Sequence, residues 1–319
     1  MKQLNFPPAL LTDLQEVDRV VLERASSRSS VVISAAGNYI LSSGGKRLRA
    51  ALALLAAQFG VYRLSDVLHA ATSVELIHAA SLVHDDLIDE AERRRGAVTV
   101  HTRWDHGVAL MVGDYLFALA AGEMALAPDP RIITYFSQAV MTICEGELAP
   151  VMNVTPFATA RDQYYYKIGC KTAALFAAAC KAGMASGQGT QEQIDALGDF
   201  GYDLGLAFQI IDDILDFTGH ENLLGKPAGS DLRNGTITLP LIYAVAANND
   251  EMLAASIDSR DEDHLAWAIA EVQRLGIEPA YATARRHIDL ALSHLDIFPD
   301  SPARQHLGEI AAFVIEREQ

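Results

Sequence analysis

Three aspartates at spacing i, i+1, i+4 occur twice in this sequence: Asp85, Asp86 and Asp89 within SVELIHAASLVHDDLIDEAERRRG (73–96), and Asp212, Asp213 and Asp216 within FQIIDDILDF (208–217). On an α-helix, positions i and i+4 lie one above the other on one face, so Asp85 with Asp89, and Asp212 with Asp216, each form a two-carboxylate claw. Like charges held that close repel, and a cation is needed to offset them. Hard oxygen ligands on rigid helices, too few to enclose an ion unaided, suit Mg²⁺, which keeps waters and shares its remaining positions with substrate phosphates. Leu87, Ile88, Ile214 and Leu215, set between the aspartates, are expected to bury the opposite side of each turn. The competing reading, a solvated acidic helix end, accounts for one such cluster more easily than for two in apolar surroundings. Neither stretch has the alternating ligands and central glycine of an EF-hand.

Basic residues supply the complementary half. Gly45-Lys46-Arg47-Leu48-Arg49 opens an apolar helix (50–59), where cations oppose the macrodipole, and a bound anion is the expected compensation. Arg93, Arg94, Arg95 and Gly96 follow the first aspartate cluster directly. Such neighbours either neutralise each other as surface ion pairs or hold a diphosphate between metal and guanidinium forks. Lys171, followed by Thr172, sits between apolar runs and needs a partner if buried. Lys226 lies with Asp231 and Arg233 in the long irregular stretch 218–239, which has the composition of a mobile lid. Together these groups suit ionisation of an allylic diphosphate: Mg²⁺ and the lysines neutralise the departing oxygens while apolar helices keep water from a carbocation.

The elements that must position these residues are helical. With 319 residues, 50% of them hydrophobic, the chain can bury one large core. Alanine and leucine dominate, and long periodic segments prevail over alternating ones, which predicts an all-α fold. Helices are expected over 9–25, 30–41, 50–59, 66–90, 108–127, 131–148, 161–186, 191–217, 240–248, 262–275, 278–297 and 303–317. No low-complexity linker divides them, so residues 1–319 read as a single domain. A formal charge of −16 disfavours nucleic acid and anionic membrane surfaces as partners. Cys144, Cys170 and Cys180 are too few and too irregular for a disulfide framework or zinc site and read as small buried hydrophobes. No apolar run has the length of a membrane span, and the N-terminus lacks the hydrophobic region of a signal peptide, so a cytoplasmic protein is expected, not an integral membrane one.

At this level of detail the chain resembles a trans-isoprenyl (polyprenyl) diphosphate synthase, through GGKRLR (44–49), LVHDDLIDEAERRRG (82–96), GDYLFA (113–118), KTA (171–173), FQIIDDILDF (208–217) and GKPAGSDLRNGTITLP (225–240). The wording is closest to heptaprenyl- and octaprenyl-type long-chain enzymes. The resemblance implies an isoprenoid-synthase-type helical bundle around a deep central cavity, usually dimeric. The implied reaction is head-to-tail condensation of isopentenyl diphosphate onto an allylic diphosphate, either farnesyl or geranylgeranyl. By the same resemblance Asp85 and Asp89, with Asp86 in support, bind Mg²⁺ under the allylic diphosphate, opposite Asp212, Asp213 and Asp216, with roughly three ions per site once substrate is bound. Arg94 contacts the allylic diphosphate, Lys46, Arg49, His78 and Arg95 bind isopentenyl diphosphate, and Lys171, Thr172, Gln209 and Lys226 surround the leaving diphosphate. The assembly implied is a homodimer, or a heterodimer with a small regulatory subunit.

Product length has a physical reading. The growing chain must run from the first claw towards the start of the same helix, past Ser81 and Ala80, four and five residues before Asp85. Farnesyl-making relatives often place an aromatic there; two small residues imply a longer product, with Phe117, Met124 or Phe136 as candidate floor. Three positions depart from the family pattern: Ala50 replaces a frequent Pro, Pro150 a frequent Gln, and Ser230 an acidic residue before Asp231. The rival readings are a short-chain farnesyl or geranylgeranyl synthase, another class I terpenoid enzyme such as a cyclase, and a noncatalytic partner subunit. Both complete claws argue against the last.

Overall fold

The computed structural model describes residues 6–26, 29–42, 45–94, 96–149, 153–219 and 228–317. Arg95, Lys226 and Pro150 lie outside the described residues, as do residues 220–227 of the expected lid. The organising element is α3 (Leu48–Ala57), LRAALALLAA, in which every residue but Arg49 is buried. A helix apolar all round can only be a core helix, and others must wrap it. On one side lies α4 (Leu64–Ile88) and on another α9 (Ala174–Ser186), itself rich in alanine. Outside α4 packs α6 (His106–Leu126), and outside α9 packs α10 (Gln191–Thr218). By rise per residue α4 and α10 are about 37 and 42 Å long.

The remaining helices close this arrangement. They are α1 (Pro8–Ala25), α2 (Val31–Ser42), α5 (Val100–Arg103), α7 (Arg131–Glu147), α8 (Phe157–Ile168), α11 (Ser230–Arg233), α12 (Leu239–Asn248), α13 (Glu251–Ala254), α14 (Glu262–Leu275), α15 (Ile277–His294) and α16 (Pro302–Glu316). Buried residues from α1 to α16 form one contiguous cluster. Helix starts follow local chemistry: Thr190 and Gln193 form a capping box at α10, and Asp105 accepts from the Val108 N–H at 2.8 Å to start α6.

Several expectations need correction. The helix expected over 161–186 is α8 and α9 joined through a π-helical turn, Gly169–Ala173. The basic stretch after the first claw is a two-stranded antiparallel hairpin, β1 (Arg93–Arg94) with β2 (Ala97–Val98), turned by Gly96 at φ 80°. Ile88 is 63% exposed because it sits in the last turn of α4, where the helix leaves the core. Cys144 is exposed, whereas Cys170 and Cys180 are buried. Among the described residues α6 alone is long and apolar enough to cross a membrane by length and composition, contrary to the sequence reading. Its inner face is taken by α4: Ser73 Oγ donates to Ala120 O at 3.3 Å, and a Cβ at Gly113 would collide with the His84 ring.

The basic motif at the start of α3 is also compensated differently from expectation. Arg47 adopts the left-handed conformation (φ 47°), which turns it inward. Its Nε donates to Asp18 Oδ1 at 2.6 Å, its Nη1 to Glu75 Oε2 at 3.3 Å and its Nη2 to Leu41 O at 2.9 Å. Glu75, buried on α4, also accepts from the Ala50 N–H at 3.1 Å, so one carboxylate satisfies both an inward arginine and the helix start. For Arg47 the offset to the macrodipole is therefore a pair of protein carboxylates. Removing one partner of a buried pair costs about 3–5 kcal/mol. Glu75→Ala should lower unfolding free energy by at least about 3 kcal/mol in denaturant titration; a loss within the surface range would mean that Arg47 finds other compensation.

Candidate active site

In each aspartate triple the three side chains meet different environments. Asp86, 3% exposed, accepts from Arg94 Nε at 2.6 Å, so the hairpin folds back and neutralises the inward aspartate of the first triple. Asp213, 5% exposed, accepts from Tyr164 Oη at 2.6 Å and from Gln209 Nε2 at 2.9 Å. Thr172 Oγ1 in turn donates to Gln209 Oε1 at 2.7 Å. Asp86 and Asp213 thus face the fold and fix Arg94, Gln209 and Thr172. Asp85 and Asp212 are left on the open side of their helices, with Asp89 exposed at the end of α4. Asp216 is buried and accepts from the Asp231 N–H at 2.9 Å, while its carbonyl accepts from the Gly229 N–H at 2.8 Å. These bonds pin the end of the expected lid stretch to the second claw.

The π turn joins the two claws. An extra residue in that turn rotates Lys171 and Thr172 away from the register of a continuous helix. Lys171 Nζ donates to Glu147 Oε2 at 3.2 Å, and Lys171 and Asp85 act electrostatically on each other. The next residue, Thr172, reaches Gln209 and through it Asp213, beside Asp212. Close approach of α10 depends on Gly205, where a Cβ would lie 2.6 Å from Ala173 Cα. Two consecutive side chains of one turn thus reach towards the claws on α4 and α10.

Electrostatics match a partly buried acidic site. Burial pushes Asp85 up to about 6, against the pull of Lys171 and Arg94 and with Glu147 and Asp89 adding to the rise. Burial, reinforced by Asp231, pushes Asp213 up to about 8. Burial also works against the charge of Lys171, but Asp85 and Glu147 outweigh it and hold its pKa above the usual value. Cations of the protein already stand at the aspartates: Arg94 at Asp86, Lys171 near Asp85, and Arg317, just beyond α16, bonded to Asp212. That hard carboxylate donor set, attracting every nearby cation, fits a divalent metal. Among the described residues no three His, Cys, Asp or Glu side chains are grouped closely enough to hold an ion unaided.

Of the other expected residues, Lys46 Nζ lies 4.2 Å over the Phe313 ring and Arg49 lies 4.8 Å over Phe176, both at the head of α3. His78 is partly buried two turns before Asp85 on the same face. Ala80 has no exposed surface, whereas Ser81 is partly open and donates to His78 O at 2.9 Å. Of the two small residues, only Ser81 borders open space. Phe136 is fully buried, and Phe117 is partly buried with its ring centre 5.8 Å from that of His84. The two hollows identified, each about 430 Å³, are surface clefts at Asp289–Arg304 and at Pro128–Gly189, away from the claws. Sequence reasoning missed Glu147, Tyr164 and Arg317, all brought to the site from distant helices. An arginine between two glutamates just past a helix end (Arg317) and a tyrosine on an apolar face (Tyr164) were the only signals available.

The polyprenyl synthetase family model matches residues 30–272. The chain is 40% identical to heptaprenyl diphosphate synthase component 2 of Geobacillus stearothermophilus, over 97% of each chain. It is 33% identical to octaprenyl diphosphate synthase of Escherichia coli strain K12, over 96% of each. Its fold superposes with a TM-score of 0.90, at 32% identity and full coverage of both chains, on a polyprenyl synthase from Caulobacter crescentus CB15 crystallised with calcium and isoprenyl diphosphate.

The raised pKa of Asp213 has a consequence for the metal-free protein. Its folded state holds a proton that the unfolded state releases near 3.8, so stability falls as pH rises from there to about 8. Asp213→Asn should flatten the pH dependence of Tm across that window in chelator; an unchanged slope would show that Asp213 is already ionised.

Proposed function

This chain belongs to the polyprenyl synthetase family, and on that premise we propose which of its residues carry the reaction and what it makes. It is a prenyltransferase that joins isopentenyl diphosphate head-to-tail to an allylic diphosphate. The observation that carries the residue assignment is the π turn, whose Lys171 acts on Asp85 of α4 and whose Thr172 is bonded through Gln209 to Asp213 of α10. In our reading Asp85, Asp89, Asp212 and Asp216 hold Mg²⁺, roughly three ions once substrate is bound, and Mg²⁺ supplies charge neutralisation on the departing diphosphate.

The chain's own residues do the rest. Arg94, Lys171, Thr172 and Gln209 cradle the allylic diphosphate, with Lys226 joining them, so its oxygens meet fixed donors as charge develops. The allylic C–O bond breaks with its electron pair on diphosphate. Lys46, Arg49, His78 and Arg95 hold isopentenyl diphosphate so that its double bond attacks the cation, and the proton then lost passes to the released diphosphate. Asp86 and Asp213 position these groups. Apolar walls keep water from the cation.

The product grows along α4 past Ser81, with about 30 Å of helix between Asp85 and Leu64, which favours a medium or long all-trans chain over farnesyl. We read the enzyme as a cytoplasmic homodimer. The outer face of α6 is apolar, with Leu110, Met111 and Leu126 exposed, and Ile133 and Met141 of α7 are exposed as well. A heteromeric assembly is the second reading, favoured by the "component 2" in one relative's name.

Purified chain given Mg²⁺, isopentenyl diphosphate and farnesyl diphosphate should yield polyprenol longer than geranylgeraniol after dephosphorylation. Chelation should abolish it, and activity appearing only with an added subunit would favour the heteromer. Ser81→Phe should shorten the product, read by chromatography; an unshifted distribution would send the growing chain by another route.

A further inference from the structure

Asp212 is held differently from the buried aspartate beside it. Asp213 accepts from two neutral donors, Tyr164 and Gln209. Asp212 Oδ1 instead accepts from the guanidinium of Arg317, contributed from just beyond the last helix, 105 residues away. Arg317 is not a surface charge resting there by chance. Its side chain is 14% exposed, and its guanidinium lies 4.1 Å over the ring of Phe208, one turn before Asp212 on α10. One turn back on α16, Phe313 carries Lys46 over its ring at 4.2 Å. The last turn of α16 thus lies between the second claw and the basic motif at the head of α3.

A guanidinium and a divalent ion on the same carboxylate repel each other, and the repulsion is strongest where water is excluded. One must yield. The guanidinium is the weaker ligand for hard oxygen, and it sits on the carboxylate that remains partly open, at 42% exposure. We propose that Arg317 is a further residue of this site: a built-in counter-cation that holds Asp212 until a divalent ion arrives and then leaves it. Its departure lifts the last turn of α16 from Phe208 and changes the seat of Lys46, linking occupation of the second claw to the basic motif. The inference rests on the reading that Asp212 binds metal.

The test is Mn²⁺ binding to the substrate-free protein, followed by the electron paramagnetic resonance signal of the free ion. Arg317→Gln should tighten binding by about tenfold, the worth of one charge-assisted hydrogen bond. Arg317→Lys should stay near wild type. In the wild type, Mn²⁺ should speed amide exchange at 313–317, which a merely structural arginine would not do. Unchanged or weaker binding by Arg317→Gln, in protein that melts as wild type does, overturns the proposal. Asp212→Asn separates the two levels. If it alone leaves Mn²⁺ binding intact, the metal reading of Asp212 fails; if it weakens binding while Arg317→Gln does not tighten it, only the role of Arg317 fails.

Discussion

Two aspartate triples, one on α4 and one on α10, each set like charges one helical turn apart, and the surrounding structure answers that repulsion. It is resolved unequally. The middle aspartate of each triple is turned inward and neutralised or hydrogen-bonded by the protein, Asp86 by Arg94 and Asp213 by Tyr164 and Gln209. At the outer positions Lys171 brings positive charge near Asp85 and Arg317 brings it to Asp212. Such a site is stabilised by what it binds. That is the property required for a reaction in which a diphosphate must be gripped, ionised and released.

The π turn reaches both aspartate triples, Asp85 through Lys171 and Asp213 through Thr172 and Gln209. In an uninterrupted helix Lys171 and Thr172 would follow the register of α8, and one of them would point into α7 or α10 packing. The inserted residue places the lysine near Asp85 and the threonine on Gln209. Gly205 removes the side chain that would hold α10 off that turn. An extra residue in the helix, a missing side chain and a short hydrogen-bonded relay thus serve a single geometric end. At the head of α3, the left-handed Arg47 turns its own charge inward to Glu75 and Asp18, while Lys46 and Arg49 project elsewhere.

Much of this was legible in the sequence, and the omissions have physical causes. Periodicity and Gly/Pro punctuation placed the long helices to within a few residues, because each must bury an apolar face of fixed period. The i, i+4 spacing marked Asp85, Asp89, Asp212 and Asp216, since that spacing is a property of the helix alone. Contacts between helices were not legible. Glu147, Tyr164 and Arg317 reach the site by packing, and nothing local to them signals it. The π turn was hidden because an apolar helix reads the same with or without one extra residue. The charges before α3 were assigned to an external anion, although for Arg47 the answer was a buried glutamate on the next helix. Ala80 and Ser81 looked equivalent by size, and only burial separated them.

The central claim is that the clusters on α4 and α10 grip one and the same ligand. A double-mutant cycle on binding of an unreactive allylic thiolodiphosphate in Mg²⁺, with Asp85→Asn, Asp212→Asn and the pair, tests it most directly. The account predicts coupling well above about 0.5 kcal/mol, because each claw's contribution needs the other in place. Strictly additive losses would mean two independent sites and would contradict it.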